Sequence, residues 1–373
     1  MLFPFICFVR ITPIDNTKIT SVVTDRIKSI AHMKATDIDT TLNRNSSNQF
    51  DIDKASDPIK WLIEQGPRIV PTLCRSIHDQ TATQFIIPPA QGFRRVFRST
   101  LYDRYSSVIP NPEAKQWSDQ LESEFIRKPY RLTIGDICFF ILGRIVNRNF
   151  FPYHWVVMTG AYVGAPSLVP QLGANAISEW GAATPEKIRI SLIQDVEQPD
   201  QQYRDVYGVA CLKRYFPKTL DRVVPKRLSS RFLNYVDDEE EFGQDGNCLE
   251  KNLINAGEAT QILDEISEIK SVQIDAACLK IVKMLSSISD PRQLFFCNKL
   301  LIACGTRLKP TPELAKLVNQ YVKNSGPKVW PEVRDLALKL NAAVHWKGQP
   351  IMVNPIHQEK VHMCKSGLQY LTE

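Results

Sequence analysis

The chain has 373 residues, 43% hydrophobic and 23% charged, a balance that excludes disorder along its whole length and leaves room for two domains or one long array. Its 46 basic and 40 acidic residues leave a net charge of +6 with only short basic clusters, the densest being Arg94-Arg95-Val96-Phe97-Arg98, so a nucleic-acid partner is not expected. Nine cysteines lie scattered through apolar runs with no C-x-x-C spacing, which fits buried free thiols in a reducing compartment better than a disulfide framework.

The opening MLFPFICFVR is apolar over nine residues but lacks a basic n-region and a small-residue cleavage site, and Pro4 interrupts it. A packed terminal strand or a misassigned start codon is expected, and hence a cytoplasmic protein; export is the alternative if the segment is a truncated signal. The longest internal apolar run, Ile137 to Leu142, falls far short of the ~20 residues that span a bilayer. Residues 34–56 are rich in Asn, Ser, Thr and Asp and read as a polar linker. Asp37, Asp39, Asp51 and Asp53 within it lack the glycine and closing glutamate of a calcium loop.

From Asp57 the spacing turns helical. Asp57 can cap and Pro58 suits the first helical position. Ile59, Leu62 and Ile63 form one apolar face, Gly66-Pro67 ends it, and Ile69, Val70, Leu73, Cys74 and Ile77 form a second. Prolines then divide residues 81–131, leaving a helix predicted over Glu113–Ile126. Thr133 with Asp136 makes a capping box before an apolar helix, although a buried strand over Ile137–Leu142 competes on periodicity alone. The aromatic segment FFPYHWVVMTGAYVGAP reads as extended chain or loop. Helices are predicted over Ser167–Trp180, Pro185–Val196, Gln202–Tyr215 and Pro225–Val236, followed by the acidic run DDEEEFGQDGN.

The last part is the most regular. Apolar stripes place helix starts near 272, 291, 312 and 331, with Gly305 and Gly326 as terminators. Alternate starts are 40 residues apart, a period that helical-hairpin arrays show. These elements predict an N-terminal segment and linker (1–56), a helical domain (57–236), an acidic linker (237–247), a C-terminal helical-hairpin domain (248–345) and a tail (346–373).

The stretch LIEQGPRIVPTLCRSIHD, with Gly66, Val70, Pro71, Leu73 and Asp79, resembles a HEAT-type repeat unit, and residues 272–344 share the period of such repeats. The resemblance implies a mainly α, α-solenoid architecture of helical hairpins with an irregular middle segment, and a protein partner. IGDICFFILGRIVNR followed by SEWGAATPEKIRISLIQD is similar to helical bacterial proteins of unknown activity and implies no reaction.

No phosphate loop, H-E-x-x-H, G-x-S-x-G or dinucleotide fingerprint occurs, so no catalytic residue and no cofactor is assigned. His357, His362 and Cys364, with Glu359 between them, are the candidate metal ligands, though a structural zinc site needs four. Cys138 and Cys211 sit in apolar surroundings that suppress a thiol's reactivity. Arg144, Arg148, His154 and Trp155 form the candidate binding cluster, because arginine and tryptophan dominate interface hot spots. The expected function is a helical-repeat interaction or scaffold module. The alternative is an enzyme or small-ligand-binding protein with a pocket near residues 144–162.

Overall fold

The computed structural model describes residues 16–34, 57–87, 129–148, 150, 153–156, 160–163, 165–168, 170–198, 204–237, 257, 259–287, 294–326 and 329–345. The apolar opening, Arg94–Arg98, the predicted helix 113–126, the acidic run after Asp237 and the tail with His357, His362 and Cys364 lie outside the described residues. The fold is mainly α, and no helix among the described residues is long and apolar enough to cross a membrane. The chain divides into two compact units, the first running to Ile188 and the second beginning at Arg189.

The first unit opens with α1 (Asn16–Ser29) and a 3-10 turn. The predicted hairpin follows as α2 (Asp57–Gln65), a 3-10 turn over Gly66–Ile69, and α3 (Val70–Ser76) with Pro71 in its first turn. Its eight predicted apolar residues, Ile59 through Ile77, are each no more than 1% exposed. Next come β1 (Ala82–Ile87), β2 (Tyr130–Thr133) and α4 (Ile134–Val146). The capping box forms: Thr133 Oγ1 accepts from the Asp136 amide at 3.3 Å, and Asp136 accepts from the Thr133 amide at 2.9 Å. The apolar run is therefore helix rather than strand. α4 packs against α1, α2 and α3, which is why its sequence is apolar all round; no side chain from Ile137 to Leu142 is more than 2% exposed.

β1 was not predicted. It pairs antiparallel with β2, Ala82 opposite Thr133 and Ile87 opposite Tyr130, burying Thr83 and Phe85 while Gln84 and Ile86 face out. That alternation is a strand signal. A second hairpin, β3 (Tyr153–Val156) and β4 (Gly160–Val163), occupies the aromatic segment, and α5 (Pro170–Trp180) follows.

Helix α6 (Pro185–Glu197) carries the chain into the second unit, which continues with α7 (Arg204–Tyr215) and α8 (Leu220–Asp237). The helix predicted to start at Pro225 begins five residues earlier, with the proline inside it. A proline there leaves the Asp221 carbonyl without its helical donor. Burial of Leu220, Val223, Val224 and Leu228 holds the turn in place. Two buried ion pairs tie these helices together, Arg227 Nε to Asp205 Oδ2 at 2.9 Å and Arg204 Nε to Asp195 Oδ1 at 3.6 Å.

Four helices complete the second unit: α9 (Val272–Leu285), α10 (Leu294–Arg307), α11 (Pro312–Ser325) and α12 (Pro331–Ala343). α9 packs on α10 and α11 on α12; between the pairs, α9 meets α11 and α10 meets α12. The helices thus stand in two rows, with α8 against α9. An offset of 40 residues, the separation of Val272 and Pro312, relates α9 to α11 in detail; α10 and α12 follow it less closely, buried Asn298 corresponding to exposed Leu338. Ser271 caps α9 by accepting from the Ile274 amide, and Thr311 caps α11 by accepting from the Leu314 amide. Ile274, Cys278, Ile281, Val282 and Leu285 are buried, as are their counterparts Leu314, Val318, Tyr321, Val322 and Ser325. Lys283 and Lys323, like Lys299 and Lys339, are exposed in both copies.

Gly305 does not end its helix, contrary to the sequence expectation; α10 runs on to Arg307. Arg307 Nε bonds Asp275 at 2.9 Å, Nη1 donates to the Ile266 carbonyl at 2.9 Å, and Nη2 reaches the Ile269 carbonyl. These bonds hold the last turn. Gly305 serves packing instead, since a Cβ there would lie 2.6 Å from Leu336 Cδ2 on α12. Gly326 is a terminator as expected, at φ 58°.

Candidate functional site

The predicted cluster begins on α4. Arg144 is half-buried, its guanidinium 5.1 Å above the ring of Phe140 one turn back. At Asn147 the chain takes φ 55°, and the Arg148 amide returns to the Gly143 carbonyl at 2.8 Å. Arg148 is only 4% exposed. Its Nη1 donates to the carbonyls of Val146 and Asn147, each at 3.0 Å, placing a cation on the partial negative charge of a helix C-terminus. The same guanidinium lies 5.3 Å from the ring centroid of Trp180, which Lys187 also approaches at 5.6 Å.

Trp180 was not part of the predicted cluster. Nothing local in the sequence marks it as the ring that Arg148 meets, because the two are on separate elements. His154 and Trp155 stand on β3, in register with Tyr162 and Ala161 of β4. Of the four predicted residues, the structure assigns contacts within the protein to Arg144 and Arg148.

A polar network among the described residues of this unit centres on Asp136. Its carboxylate accepts from Tyr130 Oη at 2.8 Å, from the Ser167 amide at 3.0 Å and from Ser167 Oγ at 2.6 and 2.7 Å, besides the cap. Burial, reinforced by the Asp136 charge, pushes the Tyr130 phenol above its usual range. A phenol so placed does not ionise near neutrality, so the network clamps strand, helix and the Ser167 turn together rather than moving protons.

All six cysteines among the described residues are buried free thiols. Burial pushes Cys74 and Cys297 up to about 12 and Cys138 higher, which keeps them protonated and unreactive. A hydrogen bond from Cys304 holds Cys278 below its ordinary value. Among the described residues, no three potential metal ligands gather.

Comparison with protein-family models, curated proteins and solved structures finds no match for this chain.

The remaining candidate surface lies outside the cluster that the sequence suggests. Residues 272–345 hold eleven Lys or Arg against five Asp or Glu, an excess equal to the +6 of the whole chain. On the row formed by α9 and α11, the exposed side chains include Lys280, Lys283, Lys316, Gln320, Lys323 and a single acid, Glu313. Lys283 Nζ meets Glu313 Oε1 at 2.8 Å, both half exposed; Lys280, Lys316 and Lys323 make no ion pair with a described residue. The signal was available, because laying the sequence on its own 40-residue period superposes Lys283 on Lys323 and Lys299 on Lys339.

Proposed function

We propose that the protein is a helical-repeat interaction module of HEAT-like type, working in the cytoplasm by binding a protein partner. One observation carries this reading: α11 repeats α9 at an offset of 40 residues in its buried stripe, its N-cap and the exposed pair Lys283 and Lys323, and Lys299 and Lys339 on α10 and α12 share that offset. Stacked repeats bury one continuous core and present extended rows of side chains, a geometry suited to binding. In the first unit, the polar groups with the most chemical promise, Asp136 and Arg148, are engaged in holding elements together. The buried free thiols support a reducing compartment.

The test is cross-linking in cells with the full chain as bait, followed by mass spectrometry. A protein partner joined through the outer faces of α9–α12 is expected. Cross-links spread evenly over both units, or no captured protein, would overturn the reading.

A further inference from the structure

We propose that the outer face of α9 and α11 docks an acidic protein segment bearing at least one apolar side chain. This rests on the interaction-module reading and names the partner's chemistry. At ~1.5 Å rise per residue, Lys280 and Lys283 stand about 4.5 Å apart along α9, and Lys316 and Lys323 about 10.5 Å apart along α11. Packed helices lie roughly 8–10 Å apart, so the four ammonium groups spread over a face about 10 Å each way, comparable with the ~8 Å screening length at physiological salt. A segment laid along that face meets them in turn. Three of them lack an acidic partner among the described residues, and the fourth meets Glu313.

A phosphate backbone fits this face poorly. Glu313 lies within the patch and is neutralised by Lys283, so the face offers four lysines against one glutamate, a modest excess for a continuous polyanion. Among the described residues of α9 and α11 no exposed side chain is aromatic or arginine, so neither base stacking nor bidentate phosphate contacts are supplied. At the head of the face Val272 is 80% exposed, and its repeat counterpart Pro312 is exposed too. An apolar step beside a row of lysines matches acidic residues interspersed with apolar ones.

The full chain should be titrated, with fluorescence anisotropy as readout, into three labelled probes: a peptide of glutamates interrupted by leucines, an all-glutamate peptide of equal length, and a short DNA duplex. The glutamate–leucine peptide should bind most tightly. Lys280→Glu, Lys283→Glu, Lys316→Glu and Lys323→Glu combined should weaken it by about tenfold or more. Lys299→Glu with Lys339→Glu, on the other row, should change it by less than about twofold, since those charges lie outside the patch. The same four positions changed to Gln, with circular dichroism matching the parent, should give an intermediate loss and guard against misfolding. Tighter binding of duplex, equal losses from both rows, or full binding by the four-site variant would overturn the proposal. Partner capture in cells that survives the four-site change would also overturn this face while leaving the module reading intact; absence of any partner for the parent chain would remove the module reading itself.

Discussion

The helix α4 and the helix pair α9 and α11 reach burial by opposite routes. α4 is surrounded, so nearly every side chain along it is apolar, and the polar groups at its ends are tied by particular partners, Asp136 at one and Arg148 at the other. α9 and α11 each bury one stripe and expose two lysines on the opposite side, and their buried positions and N-caps correspond at the 40-residue offset. A helix enclosed on all sides has no free face to offer. A row of repeated amphipathic helices keeps one, and on α9 and α11 it carries four exposed lysines.

The largest break in this comparison should come from Phe140→Ala, which empties a fully enclosed site on α4. We expect a loss of about 3–5 kcal/mol by urea denaturation; a parent-like midpoint would mean that α4 is not central. Next, Ile274→Ala and Leu314→Ala remove equivalent core residues in the two copies. Each should cost about 2–5 kcal/mol, and the two costs should agree within about 1 kcal/mol if the repeat is energetic as well as geometric. Widely different values would break the equivalence.

Arg148→Ala should destabilise by about 1.5–3 kcal/mol, because it strips a charged donor from the end of α4 and uncovers Trp180. Tryptophan fluorescence should shift with it, and an unshifted, equally stable variant would show the guanidinium to be dispensable.

The thiols bring a pH dependence. Cys74 and Cys297 stay neutral in the folded chain up to about 12, while in the unfolded chain they ionise near the ordinary 9.0. The unfolded state thus loses protons first as pH rises. Stability from these groups is full below pH 9 and declines between 9 and 12, by about 1 kcal/mol each at pH 10. Cys74→Ala with Cys297→Ala should flatten the alkaline slope of thermal melts, whatever it does to the level at neutral pH. The smallest effect is expected from Ser271→Ala and Thr311→Ala, roughly 1 kcal/mol each and alike, since the two caps are counterparts.

How much of this was legible varied with distance along the chain. The hairpin 57–77, the capping box at Thr133 and the helices starting at 272, 312 and 331 follow from residues three or four apart. Such spacing sets helix faces and caps before any tertiary contact exists. β1 is not legible from its own residues, although Thr83 and Phe85 alternate with Gln84 and Ile86, because its partner β2 lies beyond a proline-cut stretch. The lysine face was half visible: the period that superposes Lys283 on Lys323 is in the sequence, but the meeting of α9 with α11 is not.

The sequence by itself determined the mainly helical class, the apolar stripes and the caps, consequences of short-range stereochemistry, and the 40-residue period at which they recur. Tertiary structure alone decided that Arg148 covers Trp180, that Gly305 admits Leu336 rather than ending a helix, that Pro225 sits within α8, and that α9 stands beside α11. Each of these depends on what else is packed nearby. Close packing joins residues far apart in the chain, and a side chain's role is set by neighbours that its own local sequence does not name.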